Sequence, residues 1–103
     1  MANLMTEELR EQIPALYATE GDEDPRVYAR FFTPDSGWTW YVLEFDGQDT
    51  FFGYVVGHYP ELGYFSLKEL ESIRGPLGLP IERDFHFESP RLSVVLKREN
   101  SPF

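Results

Sequence analysis

The side chains of this 103-residue chain that could carry chemistry are 18 acids, 9 lysines or arginines and two histidines, with no cysteine among them. Without thiols there is no disulfide, no thiolate metal site and no cysteine nucleophile. His58 and His86 lie far apart in the chain, and neither has a partner at metal-ligand spacing. His58 falls at the end of an expected strand and His86 alternates outward, so both read as partly exposed imidazoles. Among the carboxylates, Glu44 and Asp46 share a strand face, and Asp46 and Asp49 bracket a turn. A general acid needs a carboxyl in apolar surroundings. Glu44, beside Trp38, Trp40 and Val42, is the candidate, and a solvated sheet edge is the other reading. Glu82, Arg83 and Asp84 form a charged cluster, with Arg83 expected to pair with one of its neighbours. Gly-rich phosphate loops, zinc spacings and a nucleophile elbow are absent from the sequence. The expectation is therefore no metal, no cofactor, no assigned catalytic residue and a leaning away from enzymatic activity.

The elements that would position these groups are legible in outline. Thr6 can cap a helix carrying Glu7 and Glu8 in its first turn, and Leu9, Ile13, Leu16 and Tyr17 fall on one face, with Pro14 as a kink or restart. Glu20 to Pro25 is a charged loop without the ligand spacing of a calcium site. Three strands follow, near residues 27–33, 38–45 and 50–58. Asp46-Gly47-Gln48-Asp49 is the turn between the second and third. Residues 59–63 lead out of the third strand. Ser66-Leu67-Lys68-Glu69 spells a capping box with Phe65 and Leu70 as its staple, which makes Ser66 and Glu69 structural rather than a nucleophile and base. That helix should stop at Gly75-Pro76. Residues 83–88 alternate charged and aromatic as a fourth strand would. Ser89-Pro90 then opens a short helix to about Lys97, with a strand as the alternative because of Val94-Val95. The fold class is α+β: an antiparallel meander of three to four strands with an N-terminal helix, a capped central helix and a short C-terminal helix, in one domain spanning residues 1–103.

Both faces of the second strand are apolar, Trp38, Trp40 and Val42 on one and Tyr41, Leu43 and Phe45 on the other. Either the chain's own ends cover both faces, or one aromatic face is kept for a partner, a ligand or a second copy. Net charge is −9, and residues 31–67 carry five acids and no Lys or Arg. Such a surface repels a phosphate backbone, so direct nucleic-acid binding is not expected. The first eight residues lack the basic and apolar regions of a secretory signal, and no apolar run approaches the ~20 residues of a membrane span. A cytoplasmic location without membrane association is the expectation.

Four blocks stand out: Phe32 to Tyr41, Asp49 to Gly53, Glu61 to Leu67 and Gly75 to Asp84. Through them the chain resembles, over roughly residues 3–88, a family of small bacterial proteins of unknown function often encoded on plasmids and integrative mobile elements. The resemblance implies no reaction, cofactor or catalytic residue. It does imply a mobile-DNA setting, in which a small acidic protein would serve as an accessory subunit, an anti-defence factor or a DNA mimic.

Two functions follow. One is a non-enzymatic interaction module that binds a protein partner or forms a homodimer through Trp38 and Trp40, flanked by Glu44, Asp46 and Asp49. The other is a small-ligand binder or enzyme with a pocket between the sheet and segment 75–84, using Glu44, Arg83 or Asp84.

Overall fold

The computed structural model describes residues 4–101; Met1, Ala2 and Asn3 of the N-terminal segment lie outside the described residues. The chain runs α1 (Glu7–Gln12), β1 (Ala29–Phe32), β2 (Thr39–Phe45), β3 (Thr50–Val56), β4 (Pro60–Ser66), α2 (Leu67–Ser72), β5 (Glu82–Arg83) and α3 (Leu92–Arg98). The strands form one five-stranded sheet in the order β4-β3-β2-β1-β5, each neighbouring pair antiparallel. The α+β meander is as expected, with one strand more than the sequence suggests. Residues 60–66 do not lead away from β3. They fold back on it through the turn Gly57-His58-Tyr59, in register from Val56↔Pro60 to Thr50↔Ser66. Pro60, Glu61 and Gly63 hide this strand, since each is poor in β-propensity. The 83–88 strand shrinks to Glu82–Arg83, because Asp84 starts a turn in which its carboxylate accepts the His86 N–H at 3.0 Å.

Both faces of the central strand β2 are covered by the chain itself, one by the α1 region and α2, the other in large part by α3. On one face, Leu4, Leu9 and Ile13 from the α1 region and Leu67 and Leu70 from α2 pack on Phe31, Trp40, Val42, Phe45 and Phe51. Phe51 is completely buried and stacks on Phe45 at 4.4 Å and Phe65 at 5.2 Å, with Phe31 edge-on at 5.7 Å. Burying such a ring contributes about 1.5–3 kcal/mol, and its ring contacts about 1 kcal/mol more. On the other face, Val95, Leu92 and Leu96 of the α3 region pack on Val27, Tyr41, Leu43 and Tyr54.

The helices have six, six and seven residues, too short to persist without tertiary support, and each is tied down from elsewhere in the chain. α1 has the expected Thr6 cap, 3.2 Å from the Leu9 N–H, but ends at Gln12 instead of reaching Tyr17. Ile13 is extended because it precedes a proline. At α2, Ser66 accepts the Glu69 N–H at 3.2 Å, while Asp49 takes the Lys68 N–H and the Ser66 hydroxyl at 2.8 and 2.7 Å. The hairpin thus adds cap bonds of its own, from Asp49, to the half of the box that Ser66 makes. At α3, Ser89 is not the cap: it sits at φ 55, and the helix begins three residues later. Asp24 caps from a distance instead, accepting the Ser93 N–H at 2.8 Å and the Ser93 hydroxyl at 2.7 Å. The far end of α3 is held by the Tyr41 hydroxyl, which donates to the Glu99 carboxylate.

Two glycines measure how closely the backbones approach. A Cβ on Gly53, in β3, would lie 1.8 Å from the Tyr41 carbonyl oxygen of β2, whereas one on Gly63 of β4 would meet nothing within 4 Å. Gly53→Ala is expected to lower stability by about 2 kcal/mol or more, because backbone must move, and Gly63→Ala by less than about 0.5 kcal/mol. Urea midpoints at unchanged m-value check the pair. Tyr41 supplies a pH signature. Burial, reinforced by the Glu99 hydrogen bond, pushes its hydroxyl up to about 12, so folding favours the protonated phenol. The associated stability is fully present below the unfolded value of about 10. It is lost as pH rises from there through the folded value. Tyr41→Phe should abolish this component of the alkaline stability loss, and denaturation series across that window compare the two proteins.

Candidate functional site

β2 is the middle strand of the sheet, and all seven of its residues are buried, Glu44 included at 3% exposure. A β-bulge between Val42 and Glu44 shifts the register against β3. It turns Phe45 onto the Trp40 and Val42 face and leaves Glu44 paired with Phe52, beside Leu43. Simple alternation had placed Glu44 with the tryptophans and Phe45 opposite them; the bulge exchanges them. An unanswered carboxylate at that depth costs several kcal/mol. Here it accepts the Tyr17 N–H at 2.8 Å, the Thr19 N–H at 2.9 Å and the Thr19 hydroxyl. To present two amides to one carboxylate the chain turns sharply, with Tyr17 at φ 70 in the left-handed region. Glu44 is therefore the anchor of the loop that follows α1, and the predicted helical Leu16 and Tyr17 belong to that loop.

Pinned this way, the 17–25 segment stands over the α3 side of the sheet and encloses an open cleft of about 400 Å³. Leu43, Phe52, Pro25 and Leu92 supply its apolar floor, and Leu62 and Tyr64 of β4 form its outer wall. Glu20, Asp22 and Glu23 stand exposed on its rim, and none of the lining residues is Lys, Arg or His. Tyr17, Leu62 and Tyr64 are 64%, 49% and 56% exposed. A hydrogen bond with Tyr17 pushes the Tyr64 hydroxyl up, with Glu44 and Glu20 adding to the shift. Aromatic faces and carboxylates thus share one opening.

The other candidate residues do not meet here. Asp46 Oδ1 accepts the Gln48, Asp49 and Thr50 N–H groups at 2.8, 2.8 and 3.1 Å, which closes the hairpin and holds its carboxyl below the ordinary range. Asp49 is lowered by the Ser66 hydroxyl and the Lys68 N–H in its capping role. Glu82 is exposed. Arg83 pairs with neither neighbour. It lies over the Phe85 ring at 5.0 Å, near Thr6, Glu8 and Gln12 of the α1 region, and burial lowers its pKa. The ion pair of the cluster belongs to Asp84, 3.4 Å from Arg30 of β1. Trp38 and Trp40 stack at 5.7 Å, but Trp40 is 6% exposed and packed in the core. It offers a partner almost no surface. Trp38 is half-buried against Gly57 and His58. With Thr33, Ile73 and Pro76 the two rings border an apolar cavity of about 270 Å³. That is a pocket between the sheet and the start of segment 75–84, but Glu44, Arg83 and Asp84 do not line it. Among the described residues no group of three His, Asp or Glu is placed to hold a metal ion, and no helix is long and apolar enough to cross a membrane.

The residues that sequence reasoning missed are Tyr17, Thr19, Leu62, Tyr64 and Leu92. Their signal was indirect. An acid within seven strand residues otherwise apolar, save one threonine, requires donors from some other segment.

A family model described as protein of unknown function (DUF2958) matches residues 4–100. The chain belongs to the DUF2958 family. No curated protein and no solved structure is significantly similar to it. What this DUF2958 chain does has to be drawn from its own geometry, in which Glu44 is the hinge between fold and cleft. Glu44→Ala strips three donors of their acceptor and is expected to destabilise by about 2 kcal/mol or more. Glu44→Gln, which keeps one acceptor oxygen, should cost less. Chemical denaturation gives the energies, and faster exchange of the Tyr17 and Thr19 amides in the alanine variant shows that the loop has come away.

Proposed function

We propose that this DUF2958 protein is a non-enzymatic interaction module whose cleft receives a basic segment of a partner protein. One observation carries the reading: the cleft of about 400 Å³ beside Glu44 combines an apolar floor with carboxylates on its rim and no basic residue in its lining. Apolar surface gives such a site its affinity and charge gives it selectivity. A Lys or Arg side chain suits both parts, since its methylene stem packs on apolar surface and its head stays among carboxylates and aromatic faces. A phosphate backbone is repelled by the same rim. Proteins that handle nucleic acid carry basic segments of this kind, which keeps an accessory, anti-defence or DNA-mimic role on plasmids or other mobile elements within the proposal. A cytoplasmic location fits it as well.

A second reading rests on the Trp38–Trp40 cavity, whose lining is almost wholly apolar. It would take a small apolar molecule, binding of which would change tryptophan fluorescence. Its volume lies at or below the lower end of ordinary ligand pockets, and no carboxylate reaches it.

The test uses a short peptide of alternating Arg and Val, titrated calorimetrically at low and moderate salt. Binding should weaken with salt. It should also fall about tenfold in the double variant Glu20→Gln, Glu23→Gln, which spares Asp22 because that side chain accepts the Asp24 N–H. The control is Glu7→Gln, Glu11→Gln on α1, across the sheet from the cleft, and it should leave affinity unchanged. Equal losses in both variants would show attraction to bulk charge and sink the cleft as a site.

A further inference from the structure

The cleft opens onto an edge of the sheet. β4 is the last strand on its side, seven residues long and paired with β3 along its whole length, and among the described residues no strand lies beyond it. Among the described residues no backbone hydrogen bond outside the β3 ladder reaches residues 60–65. The opposite edge differs, since β5 has only two residues. An edge strand of this length presents alternate N–H and C=O groups that an extended chain can pair with. β4 carries little to discourage this: Pro60 at its first position and Glu61 alone among charges.

The register joins edge and cleft. Glu44 of β2 stands opposite Phe52 of β3, and Phe52 opposite Tyr64 of β4. One row of side chains in the cleft thus runs across three strands, from Glu44 through Phe52 to Tyr64 at the open edge. Leu62, two residues away, points to the same side. A residue added opposite Tyr64 or Leu62 continues that row. Its side chain would start about 5 Å from theirs, within reach of the Tyr17 ring and the rim carboxylates for a side chain as long as Arg or Lys.

We infer that the basic segment binds as a sixth strand, antiparallel or parallel to β4, with alternate Lys or Arg side chains laid back over Leu62 and Tyr64 into the acidic cleft. This rests on the cleft reading and adds the conformation of the ligand to it. Charge selects the occupant. The continuous stretch that builds β2, β3 and β4, residues 31–67, holds five acids and no Lys or Arg. A second copy paired through β4 would bring two such surfaces and two acidic rims together, whereas a basic strand neutralises one.

The experiment uses the Arg–Val peptide and two isomers of it, N-methylated at odd or at even positions. In an added strand only alternate amides face β4, so one isomer should lose about tenfold or more in affinity and the other should bind like the parent. Amide exchange by NMR should show alternate amides of residues 60–66 becoming protected when the parent peptide is present. If both isomers bind like the parent and β4 gains no protection, while the Glu20, Glu23 variant still weakens binding, the strand is wrong and the cleft reading survives. If no peptide binds at millimolar concentration, both fall. Concentration-dependent protection of β4 without peptide would assign the edge to a second copy and overturn the inference.

Discussion

A carboxylate in the central strand of a small sheet must be met by donors, and the meeting of Glu44 with the Tyr17 and Thr19 amides organises this molecule. Three features hang on it. The bulge in β2 aims the side chain away from the phenylalanine cluster. The left-handed Tyr17 brings two amides to one acceptor. The loop so held stands off the sheet far enough to leave a cleft. The strain of the turn and the desolvation of the acid are each unfavourable alone, and each is what the other requires.

The acidity of the chain therefore has two distinct parts. Asp24, Asp46 and Asp49 are used up locally, as caps of α3, the hairpin and α2, and their pKa values are lowered by the hydrogen bonds they accept. Asp46 closes its own turn, while Asp24 and Asp49 tie one element to another: the loop before β1 to the last helix, and the β2–β3 turn to the middle one. Glu20 and Glu23, by contrast, sit on the cleft rim with exposed side chains. Net charge alone does not separate acids that build the fold from acids that face outward. The hydrogen-bond pattern does.

Elements whose signals are local were legible in the sequence. The Thr6 and Ser66 caps, the Asp-Gly turn and the apolar β2 each announce themselves within a few residues. What stayed hidden depends on distant partners. β4 is marked by its pairing with β3 rather than by its own residues. Asp24 caps a helix 69 residues away. Arg30, and not the adjacent Arg83, finds Asp84 because β1 and β5 are neighbours in the sheet. The site suffered most, since it is assembled from three separated segments and its anchor faces the side opposite to that given by alternation. Trp38 and Trp40 drew attention as large exposed-looking rings, yet the chain had its own use for Trp40.

The bulge between Val42 and Glu44 also makes the phase of β2 unforgiving. Up to Val42 the strand keeps one phase and from Glu44 onward the other, so Phe45 enters the aromatic core and Glu44 leaves it. Were the ladder regular there, with Leu43 paired like its neighbours, the acid would be driven into the phenylalanines and a phenyl ring into the acidic cleft. The Gly57-His58-Tyr59 turn, whose last two residues are exposed, carries no such constraint. Over evolutionary time, changes of length are therefore expected to be tolerated in that turn, whereas in β2 a change is expected to survive only where it keeps the acid and the ring on their present sides.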